Sequence, residues 1–105
     1  MTLLTFLYKG EILCGFDFSG HAMSGEFGRD IVCAAVSSAA YMAANTVTDI
    51  IRDEADASAD GGRMTLTVKA PSEKSDAVLR GLKLHMEGLA EQYPDNLTIK
   101  SRKVK

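Results

Sequence analysis

Alternating hydrophobic and polar positions open the chain and predict two strands. Residues 2–8 are rich in Leu, Phe, Tyr and Thr, and a second run, residues 12–19, follows a Lys9-Gly10-Glu11 turn. Two such runs joined by a short turn that contains glycine are typical of an antiparallel hairpin. Alternation in the second run places four apolar residues on one face, namely Ile12, Cys14, Phe16 and Phe18. We therefore expect Cys14 to be a small core residue.

Residues 20–28 interrupt this periodicity. Gly20, Gly25 and Gly28 all fall in this short segment, and glycines so close together carry a large backbone entropy cost. The segment also contains His21, which no hydrophobic pattern explains, although a purely structural histidine is an open alternative. We predict a mobile loop that closes when a ligand binds.

From about residue 29 to residue 53 the composition favours a helix. Residues 31–44 are apolar or small on nearly every face, which is typical of a helix buried between layers. Asp30 is a candidate N-cap or first-turn acid, favoured by the positive end of the helix dipole. An acidic loop rich in Ala and Gly is predicted over residues 53–62.

The remaining chain predicts a strand, a helix and a short strand. Residues 64–68 alternate up to Pro71, and a helix over roughly 73–92 presents one apolar stripe of Val78, Leu82, Met86 and Leu89. Pro94 ends that helix, and a last strand follows around Leu97 and Ile99. The predicted order is ββαβαβ, which indicates an α+β fold with two helices packed on one four-stranded sheet.

Length and charge narrow the class of protein. The 105 residues predict a single domain, 1–105, and the net charge of −2 argues against direct nucleic-acid binding. The basic segment 100–105 is interpreted as a solvated terminus. No apolar run approaches the roughly 20 residues that span a bilayer, so no membrane is expected as a partner. Two cysteines without metal-ligand spacing, and no glycine-rich nucleotide motif, predict no metal, no cofactor and a reducing, cytoplasmic location.

Cys33 has the sequence context of a nucleophile. It lies in the first turn of the predicted helix, where the dipole and unpaired N–H groups favour a thiolate. A thiolate can attack a carbonyl carbon while a histidine protonates the leaving amine, and the same amides can receive the oxyanion. The alternative is that Cys33 is another small core residue. His85, between Leu82 and Leu89 in the second helix, is interpreted as a boundary residue.

Two strings carry a family resemblance, Ser19-Gly20-His21-Ala22 and Gly28-Arg29-Asp30-Ile31-Val32-Cys33-Ala34-Ala35-Val36-Ser37-Ser38. Together they resemble the ribosomal-processing cysteine protease family called Prp, over the whole chain in length and element order. The resemblance implies a cysteine endopeptidase that removes the N-terminal extension of a large-subunit ribosomal protein, the twenty-seventh of its series. It also implies a homodimer.

The resemblance assigns roles by position. Cys33 matches the family's nucleophile and His21 its general acid and base. Asp30 matches an acidic residue that would orient His21 or cap the helix. Gly20 matches the glycine before the histidine, and Ser38 a small hydroxyl residue in the helix.

The predicted substrate is an extended apolar peptide with bulky, aromatic residues beside the scissile bond. Met23 and Phe27 are candidate substrate contacts. Phe16 and Phe18 are further candidates to line apolar pockets near the loop, with a position in the core as their alternative. The family often has an aromatic residue near position 24, where this chain has Ser24-Gly25. This departure affects the packing of the loop and the shape of the pocket.

Two other functions fit the same residues. One is a non-catalytic α+β module that binds the ribosome or a ribosomal protein, with Cys33 and His21 merely structural. The other is a hydrolase of non-peptide thioesters or amides. Thiol reactivity separates catalysis from binding, because a catalytic Cys33 should alkylate near neutral pH faster than Cys14.

Overall fold

The structure is a computed structural model that describes residues 1–20 and 31–104. Its elements are two helices, five strands and a π-helical turn, in the order β1 (Thr2–Lys9), β2 (Ile12–Ser19), α1 (Ile31–Asn45), the π-helical turn (Thr46–Ile51), β3 (Ala55–Asp60), β4 (Arg63–Val68), α2 (Glu73–Gln92) and β5 (Leu97–Lys103). The α+β class with two helices is confirmed. The sheet of the described residues has five strands, so the prediction of four strands was wrong.

The additional strand is β3, which lies in the segment predicted as a loop. The strand order is β3-β4-β2-β1-β5, with β1 and β5 parallel and every other neighbouring pair antiparallel. Gly61 and Gly62 both have positive φ and form the tight turn between β3 and β4. The sequence missed β3 because alanine and aspartate are depleted in strands. Backbone pairing with β4 overrides that preference.

The basic segment near the C-terminus is exposed to solvent, as the sequence predicts, but it is also a strand. β5 pairs in parallel with β1 from Thr2 opposite Leu97 to Tyr8 opposite Lys103. The ladder joins backbone groups, which pair whether the side chains are apolar or charged. Arg102 also lies within 3.6 Å of the Asp17 carboxylate on β2. The prediction that residues 100–103 are solvated is therefore confirmed, while their pairing with β1 was not predicted.

A β-bulge changes the faces of the first hairpin. Leu7 pairs with Gly15 but Tyr8 pairs with Leu13, so Cys14 has no residue directly opposite it on β1. As a result Leu13 is fully buried while Ile12 is 42% exposed. The prediction that Ile12 shares the buried face was therefore wrong, because the extra residue reverses the alternation. The prediction that Cys14 is buried is confirmed.

The helices cover one face of the sheet and enclose the core. From α1 and the π-helical turn, Val36, Ala40 and Val47 are fully buried, and they belong to the same cluster as the strand residues Leu4, Phe6, Phe16, Phe18 and Leu66. The α-helix ends earlier than predicted, at Asn45, and the chain leaves the π-helical turn through Arg52 in a left-handed conformation.

The helical stretch Ile31–Ile51 is long and apolar enough to cross a membrane, judged by length and composition alone. This corrects the expectation that no run approaches that length. In this structure 44% of an 18-residue window within the stretch is buried inside the protein, and the inner face of the stretch packs in the core described above. Core helices commonly combine these properties.

Helix α2 begins and ends where the sequence predicted. Ser72 and Ser75 form a reciprocal capping box at its start. Of the predicted stripe, Leu82 and Met86 are buried, and Val78 and Leu89 pack against the core while partly exposed.

Candidate active site

Cys33 occupies the first turn of α1 and is almost fully buried, with 2% of its surface exposed. The structure therefore confirms the predicted position of Cys33 at the beginning of this helix. Neither this residue nor Cys14 forms a disulfide. A thiol in a first helical turn lies close to N–H groups that the helix itself does not satisfy.

Contacts just beyond the C-terminal end of the helical run Ile31–Ile51 show where in the molecule α1 begins. The Asp53 carboxylate, just beyond the π-helical turn, accepts hydrogen bonds from the N–H and hydroxyl of Ser72 at the start of α2. The run from Ile31 to Ile51 has 21 residues and is roughly 30 Å long, while the longest extent of the molecule is 36 Å. The first turn of α1 therefore lies at the opposite end of the molecule, where α2 ends.

Strand β2 ends at this same end of the molecule. Helix α2 ends next to the beginning of β1, where the Thr2 N–H donates to Asn96, and the beginning of β1 pairs with the end of β2 through Leu3 and Ser19. Gly20 follows directly, and its N–H donates to the Gly62 carbonyl at 3.1 Å. We call this end of the sheet the Gly20 end.

Gly20 is held in a conformation that other residues rarely adopt. Its φ is +125°, and a Cβ built on it would lie 2.7 Å from the Met1 carbonyl oxygen and 2.9 Å from the Thr2 Cα. Both contacts are with backbone, which cannot move without disturbing β1. The sequence explained this glycine by loop flexibility, whereas the structure shows close approach of two backbone segments.

Several candidate residues fall outside the described part of the chain. These are His21, Met23, Phe27 and Asp30, together with the predicted mobile loop that contains Gly25 and Gly28. Phe16 and Phe18 are described, and both are fully buried in the core, stacked with ring centroids 4.4 Å apart. The prediction that these two rings line a substrate pocket was therefore wrong.

The structure does not bring Ser38 to the side of α1 that carries Cys33. Ser38 is exposed, and five residues of helix place it about 140° around the axis from Cys33. Ser37, one turn beyond Cys33, is buried on the same side. The spacing of four residues could have identified Ser37 from the sequence.

The other histidine lies on the outer surface of the two-helix layer. His85 is exposed and lines a groove of about 430 Å³ between α1 and α2, opposite Ala39 and Met42. Among the described residues no group of His, Cys, Asp and Glu could hold a metal ion.

A charged cluster on the sheet face away from the helices was not anticipated from the sequence. Arg63 donates two hydrogen bonds to the Asp17 carboxylate, at 2.9 and 2.7 Å, and Arg102 lies nearby. The hydrogen bond from Arg63 is the largest influence that lowers the pKa of Asp17 below its usual range. This cluster joins three strands, which is a structural role.

The structure combines a small mixed sheet, two helices on one face and a buried thiol in the first turn of the core helix. These features define a compact α+β protein with a candidate thiol-dependent site. A family model described as cysteine protease Prp matches residues 1–98. The chain belongs to the cysteine protease Prp family.

Named relatives are similar over most of the chain. A ribosomal processing cysteine protease Prp from Bacillus subtilis is 30% identical over 95 residues, covering 83% of this chain and 84% of that protein. The Prp from Staphylococcus aureus is 26% identical over 83 residues, covering 76% of this chain and 78% of that protein. The resemblance to this family that we inferred from the sequence is therefore confirmed.

Solved structures show the same fold. SMU.848 from Streptococcus mutans has a TM-score of 0.83 and 31% identity, covering 99% of this chain and 96% of that one. An essential ribosomal processing protease Prp from Staphylococcus aureus, in complex with a covalently linked product peptide, has a TM-score of 0.84 at 22% identity, covering 97% and 100%. At that identity the likeness is one of fold.

Proposed function

We propose that this protein is a cysteine endopeptidase that removes the N-terminal extension of a large-subunit ribosomal protein, the twenty-seventh of its series. In this proposal Cys33 is the nucleophile and His21 is the general acid and base. Membership of the Prp family supports proteolysis. The extended ribosomal protein as the particular substrate follows from the family resemblance.

The observation that carries the proposal is the position of Cys33. Its buried thiol lies in the first turn of α1, at the Gly20 end of the sheet, and His21 is the next residue of the chain after Gly20. A nucleophile and its base must approach within about 3 Å at some stage of catalysis. The position of Cys33 in the fold and the position of His21 in the chain are consistent with that requirement.

The proposed reaction proceeds through a thioester. The Cys33 sulfur attacks the carbonyl carbon of the scissile bond, forming a C–S bond, and the carbonyl electrons move to an oxyanion that N–H groups of the first helical turn would receive. The C–N bond then breaks as His21 protonates the leaving amine. Water, deprotonated by His21, hydrolyses the thioester and regenerates the thiol. Because Cys33 is buried, a peptide must displace neighbouring groups to reach the sulfur.

Further residue assignments belong to the same proposal. Gly20 holds the chain before His21, Asp30 orients His21 or caps α1, and Met23 and Phe27 contact bulky substrate side chains. Ser38 stays in the proposal only because it matches the position of a small hydroxyl residue in the family. Ser37 is the hydroxyl that shares a side of the helix with Cys33. We also propose a cytoplasmic homodimer that needs no cofactor.

Substitution of the two cysteines tests this function. Cys33→Ala should abolish cleavage of a peptide with Phe on both sides of the scissile bond, while the fold persists. Cys14→Ala is the matched control, because Cys14 is equally buried, and it should cleave normally. Cleavage by Cys33→Ala at the wild-type rate would contradict the mechanism, and unfolding of that variant would make Cys33 a core residue. A folded protein that binds but never cuts would favour the non-catalytic module.

A further inference from the structure

Strand β3 forms one edge of the sheet and leaves half of its backbone groups facing outward. In the described chain it pairs only with β4. The Lys69 N–H donates to the Glu54 carbonyl, and in an antiparallel ladder the residues that bond across alternate with residues that do not. The N–H and C=O groups of Ala55, Ala57 and Ala59 therefore point away from β4.

The outer side of β3 is open and lacks several of the devices that protect an edge strand, although two of its six residues are aspartates. Its side chains are small and nearly all exposed, with no proline, no lysine and no bulge. Long or flat edges without such protection invite pairing with another strand. An extended polypeptide can approach this edge without a steric obstacle from the side chains of β3 itself.

Next to this edge is a recess that could accept one large side chain. It has a volume of about 150 Å³ and lies between α1 and β3, lined by Tyr41, Ala44, Asn45, Ala57, Ser58, Ala59 and Met64. The recess opens to the surface, and its volume is comparable to that of an enclosed cavity that holds a benzene ring. In strand addition, backbone hydrogen bonds supply affinity and pockets for alternate side chains supply specificity.

The charge of the edge indicates the kind of peptide that it fits. Asp56 and Asp60 lie on β3, and neither forms an ion pair with any other described residue. Their side chains alternate with the alanines and so point away from the helices. A cationic peptide would therefore meet complementary charge along the strand.

Strand β3 also leads toward the candidate active site. It runs into the Gly61-Gly62 turn, and Gly62 accepts the hydrogen bond from Gly20. The strand thus ends at the Gly20 end of the sheet. Six residues of strand span about 20 Å, and a peptide on the outer edge would lie three strand spacings, about 14 Å, from β2, so a paired peptide that extends past Asp60 would reach the Gly20 end of the sheet.

We propose that the substrate polypeptide binds as an additional strand on the outer edge of β3. A cationic segment on one side of the scissile bond pairs with Ala55, Ala57 and Ala59, and one of its apolar side chains enters the recess beside Tyr41. This inference rests on the proposed peptidase function and adds how the enzyme recognises residues remote from the bond that it cuts.

Proline substitution tests the pairing. Ala57→Pro removes an outward N–H but no hydrogen bond to β4, a position where edge strands tolerate proline. The matched control is Ser101→Pro on β5, the opposite edge, where the parallel ladder with β1 leaves the Ser101 N–H pointing outward. For a peptide with a flank of about six alternating Lys and apolar residues, the length of β3, kcat/KM should fall about tenfold or more in Ala57→Pro and remain unchanged in Ser101→Pro.

Two readouts separate this inference from the function on which it rests. Cleavage of a short peptide without the flank, and alkylation of Cys33 by iodoacetamide, should be the same in Ala57→Pro as in the wild type. If the wild type does not cleave, or Cys33→Ala does, the proposed function fails. If a folded Ala57→Pro variant cleaves the long peptide at the wild-type kcat/KM, the function stands and the strand addition is wrong.

A second measurement uses the intact enzyme and modified peptides. N-methylation of alternate amides in the flank should lower kcat/KM about tenfold in one register and leave it unchanged in the other, because only alternate amides face β3. Equal rates in both registers would overturn the proposal. If Ala57→Pro instead halves the molar mass in solution with cleavage unchanged, the edge pairs with a second copy of this chain, which also overturns it.

The acidic residues supply the third readout. The double variant Asp56→Asn and Asp60→Asn should raise KM severalfold for the Lys-containing flank and leave it unchanged for the same peptide with Gln in place of Lys. Glu87→Gln, an exposed acid on α2, is the charge-matched control and should leave both values unchanged. Equal KM values for both peptides in the double variant and the wild type would show that charge plays no part.

Discussion

The two ends of the sheet each hold one buried cysteine, and the two residues differ in everything except burial. Cys14 is 1% exposed and Cys33 is 2% exposed. Cys14 lies within a strand at a bulge, where burial raises the pKa of its thiol and so disfavours the thiolate. Cys33 lies in the first turn of a helix. The two thiols therefore differ in local backbone geometry and not in burial.

The two ends also differ in how the chain is held. At the end with Cys14, side chains make several connections beside the backbone bond from the Val104 N–H to the Tyr8 carbonyl: Asp76 on α2 accepts from the Leu13 N–H at 2.9 Å, and Arg80 donates both to Asp76 and to the Glu11 carbonyl. At the Gly20 end, backbone groups join the segments next to Gly20, from the Thr2 N–H to the Asn96 carbonyl and from the Gly20 N–H to the Gly62 carbonyl. A site built on backbone contacts depends on which residues can adopt the required conformation.

Cysteine substitution should give the largest difference between the two ends. We expect Cys33→Ala to lower kcat/KM by a factor of about 1,000 or more, because it removes the nucleophile, and Cys14→Ala to leave it unchanged. Both variants lose one buried sulfur and should be destabilised by a similar amount, about 1 kcal/mol. Peptide cleavage together with urea denaturation checks this. Equal loss of activity in both variants would remove the functional distinction between the ends.

Glycine substitution sharpens the comparison through stability. Gly20→Ala should destabilise the fold by about 2 kcal/mol or more, because it combines an unfavourable φ with backbone contacts below 3.0 Å. Gly10→Ala, in the turn at the other end, has φ of +65° but nothing within 4 Å of the added Cβ, and should cost about 1 kcal/mol. Thermal unfolding of both variants provides the test. A smaller loss in Gly20→Ala than in Gly10→Ala would show that β1 moves to accept a side chain.

Acid titration should reveal an electrostatic contribution to stability at the end of the molecule that holds Cys14. We expect it to be smaller than the effects of the cysteine and glycine substitutions above. Desolvation acts to raise the pKa of Asp76, but hydrogen bonds from Arg80 and Leu13 outweigh it and leave the pKa below its ordinary value. A lowered folded-state pKa gives stability that is present above the unfolded pKa, about 3.9, and is lost as pH falls through the folded value. Asp76→Asn should therefore cost about 1 kcal/mol near pH 6 and less near pH 3.

Urea denaturation at the two pH values checks that expectation, with cleavage activity near pH 6 expected to be unchanged. Asp17 also has a lowered pKa and remains in both proteins, so it cancels in the comparison. If the difference between Asp76→Asn and the wild type is the same at both pH values, the carboxylate does not contribute through its charge.

Much of the architecture was predictable because it follows from local patterns. The apolar stripe of α2 and Pro94 indicated the limits of that helix, and the glycine-containing turn indicated the first hairpin. The errors came from long-range pairing: β3 is a strand because β4 lies beside it, and β5 includes Arg102 because β1 supplies a ladder. The bulge at Cys14 likewise depends on the register with β1 and has no local signature.

The candidate site divides in the same way. The position of Cys33 in a first helical turn follows from its own sequence neighbourhood. The constraint on Gly20 comes from Met1 and Thr2, which approach it only in the folded sheet. Which side of α1 is buried depends on where the helix packs. The catalytic assignment of His21 and Cys33 remains a prediction drawn from the family resemblance.

The most direct test of the central claim is the relative reactivity of the two thiols in the native enzyme. Wild-type protein is treated with iodoacetamide near neutral pH, and the modification of each cysteine is followed by mass spectrometry. We expect Cys33 to be alkylated faster than Cys14 and faster than an ordinary unfolded thiol, with loss of peptide cleavage in proportion to its modification. Equal, slow labelling of Cys14 and Cys33, with cleavage unaffected, would contradict the account.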